Sequence, residues 1–254
     1  MKIVVLAKLV PDLVEEISID ASGKAIDMTW LRLVINEFDD HAIEQAVIMK
    51  DRDGSHVTVI APNNDGIDDV LFTAAAKNVD QLIKLDGDFQ NGVNNHALAR
   101  AFTTVINAIQ PDLILTGVQA NNDLDGSVGS LVAGLLGIPY IGYISNVAAN
   151  DGKITVKKEY PGGLIAELEI KLPAVLGIQA AEQPPRYVAV SKVRQAMKTS
   201  SIEEQSVTGL DPSGSAEINR MFQPEAGKQA TMFTGNADEV ADKLVDVLRQ
   251  AGLL

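Results

Sequence analysis

Apolar residues in this chain fall into short runs separated by longer stretches with helical spacing. Ile3 to Ala7 is an unbroken apolar run closed by Lys8 and Pro11, the pattern of a strand buried on both faces. Leu113 to Leu115 and Ala174 to Ile178 repeat it, and Val57 to Ala61 and Gln81 to Leu85 are further strands whose apolar residues are joined by Thr58, Gln81 and Lys84. Between them, apolar positions recur every three or four residues. Asn36 is placed to cap a helix presenting Phe38, Ala42, Ile43, Ala46 and Met49 on one side. A second helix is predicted from about Gly66 to Lys77. A third runs from Asn94 to Ile109, with Leu98, Ala101, Phe102, Val105 and Ile106 aligned. A fourth follows the glycine-rich segment after Leu115, with Leu131, Leu135 and Leu136 as its apolar side. This alternation predicts an α/β fold, a mainly parallel sheet with helices on both faces.

The rhythm changes at about residue 140. Residues 154–159 and 166–170 alternate in polarity around Pro161-Gly162-Gly163, which predicts an antiparallel hairpin at the sheet edge. A smaller hairpin is predicted from about Ile17 to Met28, with Ser22-Gly23 at its tip. From Glu182 the pattern fades into a segment rich in Ser, Thr, Gly and Pro. It resumes at Asp238, where Val240, Leu244, Val245 and Leu248 mark a last helix. A tail with so little core-forming capacity either lies on another surface or is flexible, and residue pattern leaves both readings open.

Composition narrows the function classes. At 254 residues the chain can bury a sizeable core. Its net charge of -13 argues against nucleic acid and anionic membrane partners, which need clustered Lys and Arg. There are no cysteines, so disulfides, zinc–thiolate sites, iron–sulfur ligation and thiol nucleophiles are excluded. The first apolar run is too short for a signal sequence, and no segment approaches the ~20 apolar residues of a membrane span. The chain therefore reads as soluble and cytoplasmic, without direct membrane insertion. His41, His56 and His96 lack metal-ligand spacing and read as surface or packing residues. Asp39 and Asp40 read as helix N-terminal charges, and Trp30 as a core aromatic. Ser127 and Ser191 have no evident His–Asp partners, and side-chain catalysis has no candidate residues.

The sharpest local feature is Thr116 to Ser130, which leaves a buried strand and enters a helix. In a parallel sheet such a turn offers free N–H groups and the positive end of the helix dipole. Gly126 and Gly129 let the backbone approach a phosphate, and Ser127 adds a hydroxyl donor. Asp123 and Asp125 would repel that phosphate unless they point away. They can equally serve as helix N-caps with no ligand present. The segment is neither G-x-G-x-x-G nor a Walker A loop.

Five sets of residues occur in order along the chain: Val5-Leu6-Ala7-Lys8-Leu9-Val10-Pro11-Asp12, the helix start Asn36-Glu37-Phe38-Asp39-Asp40-His41-Ala42-Ile43-Glu44-Gln45-Ala46, Gly117-Val118-Gln119-Ala120, Gly162-Gly163-Leu164 with Leu172-Pro173-Ala174-Val175, and Pro185-Arg186-Tyr187. Together they resemble the electron-transfer flavoprotein β-subunit family. The resemblance implies a Rossmann-like, adenine-nucleotide-binding domain over residues 1–198. Residues 199–254 would be an arm and helix laid on a partner α subunit. That α subunit would hold the redox-active FAD. The heterodimer would pass electrons from a flavin dehydrogenase, such as an acyl-CoA dehydrogenase, to a quinone oxidoreductase or another acceptor.

By the same resemblance the β subunit holds AMP, or a second FAD. The contacts would come from Leu6, from Asn36, Glu37, Phe38 and Asp39, from Pro62, and from Gly117, Gln119, Ala120, Asn122, Asp123, Asp125, Gly126, Ser127 and Val128. The dehydrogenase would be gripped by Tyr187, Val188, Ala189, Val190, Ser191, Lys192 and Val193. This sequence departs from the family pattern at Val128, where AMP binders carry threonine, and at Val190, where a leucine anchor is expected. Ser191-Lys192 replaces proline-asparagine, and Leu13 stands where some relatives place a tyrosine near the flavin. Two alternatives accompany this reading: an electron-bifurcating, NADH-oxidising complex with FAD in the β site, and a stand-alone adenine-nucleotide sensor.

Overall fold

In the computed structural model, which describes every residue except 90–92, 151–152, 226 and 228–229, the first apolar run forms β1 (Lys2–Leu6). A short antiparallel ribbon follows, made of β2 (Leu9–Pro11) and β3 (Leu33–Ile35). The chain continues through α1 (Glu37–Asp53), β4 (His56–Pro62), α2 (Ile67–Ala76), β5 (Gln81–Asp86), α3 (Asn95–Ile109), β6 (Leu113–Gly117) and α4 (Val128–Leu136). Then come β7 (Tyr140–Asn150), β8 (Lys153–Tyr160), β9 (Leu164–Ile170), β10 (Ala174–Ile178), α5 (Val190–Thr199), β11 (Ile202–Ser206) and α6 (Ala237–Gln250). One nine-stranded sheet has the order β11-β5-β4-β1-β6-β10-β7-β8-β9. Every pairing from β11 to β7 is parallel, and β7, β8 and β9 pair antiparallel to form the edge.

The unbroken apolar runs follow from burial on both faces. Ile3 and Val5 point into a layer with Ile43 and Met49 of α1 and Leu71 of α2. Val4 and Leu6 point the other way, against Leu98 and Phe102 of α3 and Val132 of α4. Burying a side chain such as Phe102 contributes about 1.5–3 kcal/mol, which fixes each helix to its face. Gly54 ends α1 in the left-handed region, at φ 72°, and turns the chain into β4.

Five local expectations are corrected. Asn36 occupies the N-cap position of α1 but makes no capping hydrogen bond. Of the expected apolar side of α4, Leu131 and Leu136 pack half-buried against the core but Leu135 is exposed, and the fully buried residues are Val128, Gly129, Val132 and Ala133. The hairpin from Ile17 to Met28 is reduced to a single bridge, Ile19 to Ile26, held by Asp20 turns. Trp30 is 91 % exposed rather than in the core. The segment after Glu182 also contains α5 and β11. β11 pairs with β5 through its backbone, and its exposed Glu203 and Glu204 bond Gln81 and Lys84 instead of presenting an apolar face.

Beyond β11 the described residues stay on the surface. Arg100 holds the carbonyls of Asp211 and Ser213, and Met221 N donates to Gly23 O. α6 is started by a capping box between Asn236 and Glu239 and buries no residue; Leu244, Val247 and Leu248 remain exposed. Among the described residues, no helix is long and apolar enough to cross a membrane.

Candidate functional site

β1 and β6 are neighbours whose chains leave in opposite directions. β1 leads to α1 on one face of the sheet, and β6 leads to α4 on the other. Their carboxyl ends therefore splay into a crevice, the usual ligand position in an open parallel sheet. Leu6 ends β1 and is buried, and Pro62 ends β4 and is buried.

The start of α1 is stitched into this crevice. Asp39 is buried and takes an N–H from each strand end, Gly117 N at 2.8 Å and Lys8 N at 3.0 Å. Burial pushes its carboxyl up to about 6, against the pull of the Lys8 charge and these two amides. Asn36 Nδ2 donates to Gln119 O at 3.0 Å, so its side chain joins α1 to the β6–α4 loop, which is why it does not cap the helix. Phe38 lies against Gly117: a Cβ on that glycine would sit 2.7 Å from the Phe38 Cβ and would also strike Asp39. Glu37 is exposed.

The loop from Gln119 to Ser127 is pinned by its own carboxylates. Asp123 Oδ1 accepts from Lys8 Nζ and from Asn95 Nδ2, each at 2.7 Å, while Oδ2 accepts from Ala120 N at 2.8 Å. Asp125 accepts from Asn95 N at 3.2 Å, at the start of α3. Neither residue caps α4, whose N-cap position is Ser127 and which has no side-chain cap. Gly126 holds φ at 108°, and Gly129 brings the helix against Thr116 and Tyr140, where a Cβ would collide. Val128 is buried below this start, whereas Gln119 and Asn122 are exposed above it. The void between Lys8, Asp39, Asp123 and Val128 is about 20 Å³, room for one water. Lys8 and Asn95, which organise the loop, were absent from the sequence-based site. Each gains its role only when distant segments meet.

A second region lies on the far side of α1. Tyr187 is 87 % exposed and Val190 63 %; Ser191 and Lys192 are also exposed, and Val188, Ala189 and Val193 are half-buried. The segment leading to them is clamped by α1 side chains. Ala181 N donates to His41 Nδ1, Glu182 N to Gln45 Oε1, and Arg186 N to Glu44 Oε2, at 3.2, 3.0 and 2.9 Å. Arg186 Nε adds a bond to Glu44 Oε1 at 2.8 Å and Nη1 one to Asp51. Partial burial draws the guanidinium down, but Glu44 and Asp51 outweigh it and hold it above its ordinary value. His41 is thus a packing acceptor, Asp40 pairs with Lys77, and no metal-binding cluster occurs among the described residues.

The family model described as the electron transfer flavoprotein domain matches residues 29–210. The chain is 31% identical over 262 residues to the electron transfer flavoprotein subunit beta of Methylophilus methylotrophus, covering 98% of each. It is 30% identical over 193 residues to the subunit beta of Clostridium acetobutylicum, covering 76% of this chain and 74% of that one. It is also 27% identical, over the full length of both, to the caffeyl-CoA reductase-Etf complex subunit CarD of Acetobacterium woodii.

Proposed function

The chain belongs to the electron transfer flavoprotein family, as a β subunit, and from that premise we propose that it works as half of a heterodimer carrying electrons from a flavin dehydrogenase to a further acceptor. Its α-subunit partner holds FAD, which supplies the redox chemistry when bound. This chain's own residues bind a nucleotide and present surfaces. Residues 199–254 form the arm laid on that partner, which accounts for α6 having an apolar stripe and no cover in this chain. Acyl-CoA dehydrogenases are the donor class, a quinone oxidoreductase is the acceptor, and the complex works in the cytoplasm.

The crevice takes AMP in this reading. The observation that carries it is the uncapped start of α4, with Gly126 and Gly129 opening the backbone and Ser127 beside it. The neighbouring start of α3 is already occupied by Asp125, and Lys8 by Asp123. One phosphate finds donors here, and a second would face carboxylates. Because the floor is closed, the nucleotide lies across the mouth, over Gln119, Asn122 and Gly126.

A bifurcating complex with FAD in this crevice is the second reading, favoured by the likeness to a protein named as part of a caffeyl-CoA reductase-Etf complex. Nucleotides released from the purified, denatured heterodimer separate the two. One FAD and one AMP per heterodimer is expected, with AMP lost and FAD kept in Gly126→Glu. Two FADs per heterodimer would replace the carrier with the bifurcating complex. AMP retained in the variant would move the site elsewhere. Stable, monomeric, ATP-binding behaviour without an α subunit would return the sensor reading.

A further inference from the structure

Strand β7 carries a tyrosine that neither neighbouring strand pairs. Gly142 is opposite Gly177 of β10 and the next pair is Ile144 with Ile178, so Tyr143 is the extra residue of a bulge. Its φ is 63°, in the left-handed region that a bulky side chain occupies only at a cost. The bulge keeps Ile144 buried in the layer under α1 and turns Tyr143 outward, 49 % exposed. Its hydroxyl then stands 3.5 Å from Oε1 of Gln119, at the mouth of the crevice. Close packing brings Gln119 there: a Cβ on Gly142 would lie 3.3 Å from Val118 Cγ2, and one on Gly177 3.2 Å from Val118 Cα. Tyr140, at the start of the same strand, packs its ring on Gly129 and its phenol over Gly142 and Gly177. Burial holds that phenol above its ordinary value, partly offset by a hydrogen bond with Ser127. Lys158 Nζ covers the Tyr143 ring at 5.7 Å from its centroid. Two tyrosines of β7 therefore stand beside the crevice, one next to Ser127 and one next to Gln119.

We propose that the Tyr143 ring is the stacking platform for the base of the nucleotide held in the crevice. The inference rests on the nucleotide reading above and adds the residue that receives the base. A phosphate at the start of α4 has Ser127 and the Tyr140 phenol at its side, and a nucleoside reaching across the mouth over Gln119 meets Tyr143 next. A base offers a flat π face, and a ring set in advance by a bulge and backed by an ammonium loses little freedom when it stacks. Strain at a half-exposed side chain finds little offset inside this chain, which marks a position shaped for a bound group.

The test uses the heterodimer coexpressed with its α subunit and carrying its own nucleotide. Exchange of bound AMP against labelled AMP should be about tenfold faster in Tyr143→Ala than in wild type, and within about twofold of wild type in Tyr143→Phe. The inhibition constant of ribose 5-phosphate, which has no base, should be the same in all three. Tyr143→Gly removes the ring and relieves the positive φ, so its exchange should match Tyr143→Ala while its urea midpoint lies higher. A midpoint below that of Tyr143→Ala would remove the strain on which the inference stands. Unchanged exchange in Tyr143→Ala would overturn the platform and leave AMP in the crevice. So would failure of that variant to assemble, or normal exchange with a shifted flavin potential, either of which would give the ring to the α subunit. A wild-type heterodimer that holds no AMP would remove the nucleotide reading, and the inference with it.

Discussion

The crevice and the α5 face use charge in opposite ways. In the crevice, Lys8, Asp39, Asp123 and Asp125 are each bonded to a partner from another segment, so their charges are spent within the chain. On α5, Lys192, Arg194 and Lys198 have no such partner among the described residues. Both regions are attached to α1, the crevice at its start through Asn36 and Asp39 and the segment before α5 through His41, Glu44 and Gln45. Paired charges hold segments in place, whereas unpaired ones are available to a partner. The pairing, not the residue type, tells the two roles apart.

The largest expected effect breaks the crevice outright. Gly117→Val would force side-chain atoms into Asp39 and the Phe38 Cβ, next to backbone that cannot yield. A loss of more than about 4 kcal/mol in urea unfolding is expected, with AMP lost from the heterodimer. A variant with near-normal stability would mean that α1 does not seat against β6 as described.

The ion pair sharpens the contrast more directly. Asp123→Ala leaves Lys8 nearly buried without its anion and should cost about 3 kcal/mol. Arg194→Ala, which breaks no pair, should stay within about 0.5 kcal/mol of wild type. Equal losses in the two variants would erase the distinction between the regions.

A pH series gives the smallest of the three effects. Folding raises the Asp39 carboxyl from 3.8 to about 6, so the folded chain binds that proton more tightly than the unfolded one. Its contribution to stability is therefore full below pH 3.8 and is lost as pH rises through about 6. Relative to Asp39→Asn, wild type should gain about 2 kcal/mol between pH 7 and pH 4, measured by urea unfolding at each pH. A flat difference curve would show that the carboxyl is solvated.

Much of the sheet could be read from the chain because its strands are buried on both faces, and that burial demands unbroken apolar runs such as Ile3 to Ala7 and Ala174 to Ile178. The edge hairpin could be read because one face is solvated and its residues alternate, as in β8. β11 could not. It is an edge strand held by backbone pairing and ion pairs, which leave no hydrophobic period. Trp30 was misplaced because hydrophobicity predicts burial only on average.

The glycine-rich turn after β6 shows where the two sources of information divide. The residues from Gly117 to Gly129 were sufficient to mark a strand-to-helix turn, since only glycine tolerates φ 108° and such close backbone packing cheaply. Whether Asp123 and Asp125 cap the helix, face the ligand or turn away could not be decided along the chain. Their partners, Lys8 and Asn95, stand 115 and 30 residues distant. Local sequence fixes backbone conformation because sterics act over a few bonds. The fate of a buried charge is set by whatever the fold brings within about 3 Å of it, and that only the tertiary structure decided.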